Sequence, residues 1–431
     1  MDTADYHPYH RDITDIALAA LAGTPVVLLR GARRTGKTTL AKHIARTAHP
    51  AQYLTLNDDS VLAAARDDPA AFVGRLQSPV VLDDVHRAPD LLPAILAEVE
   101  RHPRPGRFLL VASTNVLPPP QISESLAGRI EILTLHPFSQ GEIESVHENF
   151  IDALFADTLS PAGGCDDLIA RILRGGYPSA LERPDAESRR AWFDSYVTTV
   201  LEDIRGLSHI DALSSLPRLL ALTAARTAGL LNFMDLARGS EIPQTTVKRY
   251  FALLETTSLA RLLPAWANKT EPSLSQGVVE KTKSGQRLIK APKLYLNDTG
   301  LAASLLGLDE ERLARDVGLK AALLENFVAM ELEKQAGWSP ACPKLFHFRT
   351  AAGQKVDFVL DNEEGIVGIE VKAGATVAER DFHGLCALAE LAGPRFRNGV
   401  VLHTGSTRDA FGQRLQAAPM SALWQSHAGG A

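Results

Sequence analysis

Short apolar runs alternate with longer stretches of mixed polarity over the first third of the chain. The runs predict buried strands, in order at residues 24–30, 52–56, 79–82, 107–113 and 130–135. Stretches of helical composition lie between them, at residues 38–47, 61–76 and 88–101. Strands that alternate with helices in this way pair in parallel and are covered by helices on both faces. Residues 1–138 are therefore predicted to form an α/β domain around a parallel sheet.

After residue 138 the pattern becomes mostly helical. Residues 139–205 predict a small helical lid, interrupted at residues 160–164 and at the turn Gly175-Gly176-Tyr177-Pro178. Further on, three helices and two flanking strands are predicted, at residues 216–228, 232–238, 243–256, 258–266 and 293–296. Three helices followed by a hairpin are the outline of a winged helix-turn-helix, and we assign it to residues 206–306.

Residues 307–431 contain a second alternation of helices and strands. Helices are predicted at residues 319–336 and 381–392, and strands at residues 344–349, 356–360, 366–371 and 399–403. The predicted fold class is thus α/β and multidomain, with four successive domains.

A glycine-rich segment follows the first strand and begins the first helix. Gly31-Ala32-Arg33-Arg34-Thr35-Gly36-Lys37-Thr38 matches the P-loop pattern G-x-x-x-x-G-K-[ST] in the strand–loop–helix context that the pattern requires. Its backbone N–H groups and the helix N-terminus favour phosphate binding, and we include Thr39 in the nucleotide site. Lys37 is placed to bridge the β- and γ-phosphates, and the Thr38 hydroxyl is a ligand for Mg²⁺. The segment predicts ATP as ligand with Mg²⁺ as cofactor.

The third predicted strand ends in two carboxylates, Asp83 and Asp84. Since a buried strand brings them to the edge where the phosphates bind, Asp83 is predicted to hold the Mg²⁺ shell and Asp84 to act as the general base for the attacking water. An Asp-Asp pair after a strand is also a common turn or helix cap, and that alternative stays open.

Polar residues at two later positions complete the predicted nucleotide site. Ser113 and Thr114 follow the fourth strand, where a side chain could contact the γ-phosphate, although polar strand ends are common. Arg129 precedes the fifth strand and could reach the phosphate of a neighbouring copy in a homo-oligomer. A structural salt bridge is the equally weighted alternative for Arg129.

Composition narrows the class of protein. Net charge is −6, the three cysteines are far apart without a C-x-x-C pair, and the histidines show no metal-binding spacing. A disulfide framework and a dedicated zinc site are therefore not expected. The N-terminus has no apolar signal segment and no run is long enough to span a bilayer, so we expect a cytoplasmic protein without membrane contact.

In combination, several segments resemble one prokaryotic ATP-binding family, which has an AAA-like N-terminal domain and a C-terminal domain of unknown function. The segments are GARRTGKTTL (31–40), LDDVHRAPDLL (82–92), SLAGR (125–129), GGYP (175–178), YLNDTGL (295–301), LENFV (324–328) and VDF (356–358). The resemblance covers nearly the whole chain and implies an AAA-like ATPase. This chain departs from the family pattern at Asp84, where glutamate is usual, and at His86, where glutamine is usual. Because the carboxylate of Asp84 is one methylene shorter, we expect slow hydrolysis.

The predicted winged helix is a candidate DNA-binding module. Residues 238–293 contain ten basic and four acidic residues, an excess of six positive charges in an acidic protein. Lys248 and Arg249 lie on the predicted recognition helix. Winged helices also pack against proteins, so contact with DNA and contact with protein both stay open.

The C-terminal domain is a candidate nuclease module. Glu325 on a helix, Asp357 on a strand and Glu370-Val371-Lys372 on the next strand follow an order that resembles the PD-(D/E)xK nuclease fold. Residues 370 and 372 face the same side of a strand, so two or three carboxylates and a lysine could bind a metal ion and orient a water. Such folds can also lose chemistry and keep binding.

The sequence as a whole favours a Mg²⁺-dependent ATPase in which the nucleotide state switches the winged-helix and nuclease-like domains, on DNA. An ATP-gated DNA nuclease is the first alternative. A nucleotide-dependent protein-interaction switch without nucleic acid is the second.

Overall fold

The computed structural model describes residues 10–113, 128–160, 162–207, 215–267, 279–281 and 287–425. The chain divides into two compact units. The first comprises Met1–Phe138 with Thr256–Ser258, and the second comprises Ser139–Glu255 with Leu259–Ala431. Within the described ranges, no helix combines the length and the apolar character needed to cross a bilayer.

The first unit contains a five-stranded sheet with helices between the strands. Its strands are β1 (Val26–Arg30), β2 (Gln52–Thr55), β3 (Val80–Asp83), β4 (Phe108–Ala112) and β5 (Ile130–Thr134). Its α-helices are α1 (Ile13–Gly23), α2 (Lys37–Arg46), α3 (Asp59–Asp67), α4 (Pro69–Gly74) and α5 (Leu91–Arg101). The order across the sheet is β2-β3-β4-β1-β5, and every pairing is parallel. The predicted parallel α/β sheet is confirmed.

Alternate residues of the central strands enter two different cores. Val26 and Leu28 of β1 pack into the core under α3 to α5, whereas Val27 and Leu29 pack into the core under α1 and α2. All four side chains are at most 1% exposed. A strand that is buried on both faces reads as a continuous apolar run, which is why the sequence located β1, β3 and β4.

The helix predicted at residues 61–76 is wrong as one element. The chain forms α3 and α4 instead, because Pro69 has no N–H for an intrahelical hydrogen bond and is tolerated only in a first turn. The Asp68 carboxylate accepts a hydrogen bond from the Ala71 N–H at 2.9 Å and caps α4. Helix α1 was not predicted.

The second unit begins with helices. They are α6 (Gln140–Glu144), α7 (Phe150–Phe155), α8 (Leu168–Arg174), α9 (Pro178–Leu181), α10 (Ala186–Leu207), α11 (Leu216–Ala225), α12 (Phe233–Ser240) and α13 (Gln244–Thr256). Two small antiparallel sheets follow, one of β6 (Ala260–Leu263) with β9 (Lys293–Leu296) and one of β7 (Val279–Lys281) with β8 (Arg287–Ile289). Three helices with a strand pair agree with the predicted elements, and their identification as a winged helix stays a prediction.

The last part of the second unit is a mixed sheet with a long helix. Its helices are α14 (Thr299–Leu305), α15 (Glu310–Arg315), α16 (Val317–Ala336), α17 (His383–Ala392) and α18 (Ala422–Gln425). Its strands are β10 (Lys344–Arg349), β11 (Lys355–Asp361), β12 (Ile366–Lys372), β13 (Phe396–His403), β14 (Asp409–Ala410) and β15 (Leu415–Pro419), in the order β10-β11-β12-β13-β15-β14. Strands β10 to β12 are antiparallel neighbours, whereas β12, β13 and β15 are parallel. Identification of this α/β region with the PD-(D/E)xK fold stays a prediction.

Candidate functional site

The P-loop leaves β1 at a glycine that no other residue could replace. Gly31 has a φ of +150°, and a Cβ there would lie 2.2 Å from the carbonyl oxygen of Leu135. Gly36, with a φ of +95°, turns the chain into α2. Both glycines of the motif are therefore required by the backbone path itself.

Lys37 points back into this loop. Its side chain is 5% exposed, and its Nζ donates a hydrogen bond to the carbonyl oxygen of Ala32 at 2.6 Å. Burial lowers the pKa of Lys37 to about 8, although the nearby charges of Asp84 and Asp83 act in the opposite direction. The ammonium group is thus buried in the loop with a backbone carbonyl as its hydrogen-bond acceptor, and a bound phosphate would provide a negatively charged partner.

Asp83 ends β3 as a buried carboxylate, 1% exposed. Its Oδ2 accepts a hydrogen bond from the Tyr53 hydroxyl at 2.7 Å, and its Oδ1 accepts one from the Asp84 N–H at 2.9 Å. Burial, followed by the hydrogen bond to Asp83, raises the pKa of the Tyr53 hydroxyl. Tyr53 lies on β2, the strand beside β3, and it was not among the residues predicted for this site.

Asp84 adopts a left-handed conformation with a φ of +60°. Its Oδ2 accepts a hydrogen bond from the Asn57 side-chain amide at 2.5 Å, and its Oδ1 lies 3.8 Å from the His86 ring nitrogen. Burial and then the charge of Asp83 raise the pKa of Asp84. Burial, with the charges of Arg33 and Lys37, lowers the pKa of His86 to about 4, so this ring is neutral at pH 7. Position at the carboxyl end of β2 is the signal that would have identified Asn57.

Arg11 supports the P-loop from behind and was also missed. The residue is 8% exposed, and its guanidinium donates to the carbonyl oxygens of Thr35 at 2.9 Å and His136 at 2.7 Å. It also lies 4.5 Å from the centre of the Phe138 ring. One side chain therefore ties the P-loop to the segment that follows β5.

The remaining predicted residues of this site have mixed placements. Thr38 and Thr39 lie in the first turn of α2, and Ser113 directly follows β4, which pairs with both β1 and β3. Thr114 lies outside the described residues. Arg129 forms an ion pair with Glu100, which agrees with the structural alternative for this arginine.

These residues fit a nucleoside triphosphate with Mg²⁺. The loop provides backbone N–H groups and a buried ammonium, while a buried carboxylate, a second carboxylate and a threonine hydroxyl lie at the same edge of the sheet. Thr38 and Asp83 are the residues that would hold the metal.

The three predicted C-terminal carboxylates form one charged cluster with lysines. Lys293 Nζ lies 2.8 Å from Glu325 Oε1 and 2.9 Å from Asp357 Oδ1. Lys355 Nζ lies 3.0 Å from Asp357 Oδ1 and 3.5 Å from Glu370 Oε1. Hereafter Glu325, Asp357 and Glu370 are called the acidic cluster.

Lys372, the lysine that the sequence predicted for this site, lies at its edge. Its Nζ is 3.0 Å from Glu370 Oε1 and 3.6 Å from Asp381 Oδ1. Among the described residues, no three His, Cys, Asp or Glu side chains form a group that could hold a metal ion. The acidic cluster as it stands is balanced by ammonium groups.

Lys293 also corrects the charge count of the predicted winged helix. Lys293 is one of the ten basic residues predicted to be available to DNA, but it is 4% exposed and paired with carboxylates. Arg261 is likewise paired, with Glu333. Lys248 and Arg249 remain exposed on α13.

Two motifs of the family resemblance meet inside the second unit. Asp298 accepts hydrogen bonds from the Gly176 N–H at 2.7 Å and the Leu301 N–H at 2.9 Å. Gly175 has a φ of +67°, and a Cβ there would lie 2.3 Å from Asp298 Oδ1. Packing and hydrogen bonding account for the Gly-Gly-Tyr-Pro turn.

Models of three domain families match successive parts of the chain. An AAA domain matches residues 23–144, a domain of unknown function (DUF8612) matches residues 165–312, and another domain of unknown function (DUF4143) matches residues 320–423. The AAA match supports a nucleotide-binding ATPase and confirms the AAA-like part of the predicted resemblance.

Two uncharacterized mycobacterial proteins are similar over most of the chain. One is from Mycobacterium tuberculosis and one from Mycobacterium bovis, and each is 30% identical over 369 residues, 85% of this chain and 74% of the relative. Among solved structures, Thermotoga maritima RuvB is 19% identical, with 64% of this chain and 89% of that chain covered, at a TM-score of 0.28. A DNA replication initiation factor is 12% identical, with 57% and 86% covered, at a TM-score of 0.25. TM-scores this low support no inference.

Proposed function

Since the chain belongs to the same family as these two mycobacterial proteins and carries an AAA domain, we propose that it is a Mg²⁺-dependent ATPase whose nucleotide state switches a winged-helix and a nuclease-like domain. The main support is Lys37, a buried ammonium held inside a glycine loop beside two carboxylates. ATP is the proposed ligand and substrate.

In this proposal the residues of the P-loop bind and orient the triphosphate. Lys37 exchanges its hydrogen bond to the Ala32 carbonyl for the β- and γ-phosphate oxygens, and the helix N-terminus of α2 adds a favourable dipole. Thr38 and Asp83 hold Mg²⁺, which when bound neutralises charge that develops on the phosphates.

Asp84 is the proposed general base for the attacking water. The Asn57 amide fixes one of its oxygens, and burial keeps its pKa above that of an exposed aspartate, which suits a group that must accept a proton. Arg129 would act as an arginine finger toward a neighbouring copy only after it leaves Glu100.

The decisive experiment compares ATP binding and ATP turnover in three variants. Lys37→Ala should lose most ATP affinity, and Asp84→Asn should bind ATP but lose turnover, by about 10²-fold or more if Asp84 is the base. Asp90→Asn, which removes an exposed carboxylate of the same unit, is the matched control and should leave both unchanged. Normal turnover in Asp84→Asn would refute the assignment of the base.

Contact with DNA is the second part of the proposal, supported by Lys248 and Arg249 on the exposed face of α13. The Lys248→Ala/Arg249→Ala variant should bind duplex DNA more weakly and reduce the slope of log affinity against log salt by about two units. Lys344→Ala/Arg380→Ala removes two exposed basic residues elsewhere in the second unit and serves as the control. A wild-type protein that binds no DNA at low salt would favour the protein-interaction alternative.

A further inference from the structure

Lys293 is a buried lysine seated between two carboxylates of the acidic cluster. Its side chain is 5% exposed, and its Nζ lies within 2.9 Å of an oxygen of Glu325 and of Asp357. The three residues come from β9, α16 and β11, so the ion pairs join distant parts of the second unit. Burial of an ammonium is unfavourable unless it is paired, and these two carboxylates provide the pairing.

The pairing is supported by a second contact from the same strand. Tyr295 is two residues along β9, on the same face as Lys293, and its hydroxyl donates to Glu325 Oε1 at 2.7 Å. β9 thus presents an ammonium and a hydroxyl to one carboxylate. Both contacts would be lost together if β9 moved.

The charges in the cluster show what Lys293 does there. Burial would raise the pKa of Asp357, but the ammonium groups of Lys293 and Lys355 hold it well below its usual range. Burial and then the charge of Asp357 raise the pKa of Glu325, and the same two causes raise that of Glu370 to about 7. Asp357 is therefore the carboxylate that stays charged, and the cations that balance it are the ammonium groups of Lys293 and Lys355.

The acidic cluster also has capacity for one more ligand. Glu370 is 3% exposed, and its Oε2 is buried without a hydrogen-bond partner in the described part of the chain. A carboxylate oxygen buried in this way is usually satisfied by a donor or a cation. Lys355 and Lys372, which both contact Glu370 Oε1, are partly exposed and mark the open side.

We propose that Lys293 is an internal counter-cation that closes the acidic cluster to a divalent cation. An ammonium 2.8 and 2.9 Å from two carboxylates occupies the space in which a bridging metal ion would lie. For the nuclease-like domain of the proposed function, on which this step rests, metal-dependent chemistry at Asp357 would be blocked by a residue of the predicted winged helix.

The test is Mn²⁺ binding to the full chain, measured by calorimetry or by electron paramagnetic resonance of unbound Mn²⁺. Lys293→Met keeps the length of the side chain and removes its charge. It should bind one Mn²⁺ with an affinity at least about tenfold higher than wild type, because the loss of the ammonium leaves Glu325 without an ion pair and Asp357 with Lys355 alone. Adding Asp357→Asn to Lys293→Met should remove this binding. Nucleotide is omitted throughout, so the result does not depend on the P-loop.

Lys334→Met is the matched control. Lys334 is a similarly buried lysine of the same unit whose Nζ lies 2.6 Å from Glu331 Oε1, outside the acidic cluster, and its loss should not change Mn²⁺ binding at the acidic cluster. If Lys293→Met does not fold, judged by circular dichroism, Lys293→Gln replaces it.

Two results would overturn the proposal. The first is wild-type protein that already binds Mn²⁺ at a site removed by Asp357→Asn, since the cluster would then be open. The second is a folded Lys293 variant that binds no more Mn²⁺ than wild type.

Discussion

The affinity for ATP should fall as pH rises through the range where Lys37 loses its proton. Lys37 has a pKa of about 8 before the nucleotide binds, because the side chain is buried in the P-loop. Phosphate oxygens favour the ammonium form, so nucleotide binding raises this pKa. The affinity for ATP is therefore highest below about pH 8. It decreases with rising pH above that value and levels off once the pH exceeds the higher pKa of Lys37 in the complex.

The size of the effect follows from the pKa alone. With a value of about 8, roughly nine-tenths of Lys37 is protonated at pH 7 and roughly one-tenth at pH 9. The dissociation constant should increase about tenfold over that interval. Binding at pH 9 should also take up about 0.9 proton per nucleotide, since most of the lysine must be protonated on binding.

Both quantities can be measured with a fluorescent ATP analogue and by calorimetry in buffers of different ionisation heat. Lys37→Arg is the control, because a guanidinium stays protonated throughout this range. The affinity of Lys37→Arg for ATP should be lower than that of wild type, since a planar guanidinium does not fit the space that holds the lysine ammonium. This affinity should not change between pH 7 and pH 9. His86 does not titrate in this window, since its pKa is lowered to about 4.

A flat wild-type profile with no proton uptake would show that Lys37 does not carry the phosphate contact. An equal fall in Lys37→Arg would assign the titration to another group.

Two further predictions concern stability, one within each unit. Gly175→Ala should lower the free energy of unfolding of the second unit by about 2–4 kcal/mol in urea titrations, because left-handed strain adds to a clash with Asp298. Gly393→Ala, at a φ of +57° with nothing within 4 Å, should cost only the backbone strain, about 1–3 kcal/mol, and equal losses in both variants would argue against the clash. Arg11→Ala should destabilise the first unit by about 2–4 kcal/mol through two lost charge-assisted hydrogen bonds, and Arg11→Lys should recover only part of this. Full recovery with lysine would show that charge alone suffices.

Much of the first unit could be predicted because its signals are local. The strand–loop–helix around Gly36 and the apolar strands are contiguous in sequence, and burial on both faces makes them continuous runs. The helix boundary at Asp68-Pro69 could also have been predicted from the sequence, because proline begins helices. The apolar periodicity continues across this boundary, and for that reason a single helix was predicted there.

The contacts that the sequence could not provide are the non-local ones. Arg11 reaches His136 across 125 positions, and Lys293 reaches Asp357 across 64. A local charge count assigns Lys293 to a basic surface, since nothing in its immediate neighbourhood indicates a carboxylate. The acidic residues of the C-terminal site were identified from their order, whereas the cation between them comes from another predicted domain.

The enclosure of Lys293 also affects how salt experiments on this protein are interpreted. Ions in solution screen exposed pairs such as Arg218 with Glu241, but they barely reach an ammonium that is 5% exposed and held by two carboxylates. The ion pairs of Lys293 with Glu325 and Asp357 therefore persist from low to high ionic strength. A change in polyanion affinity with salt concentration then measures contacts at the protein surface, without a contribution from this buried network.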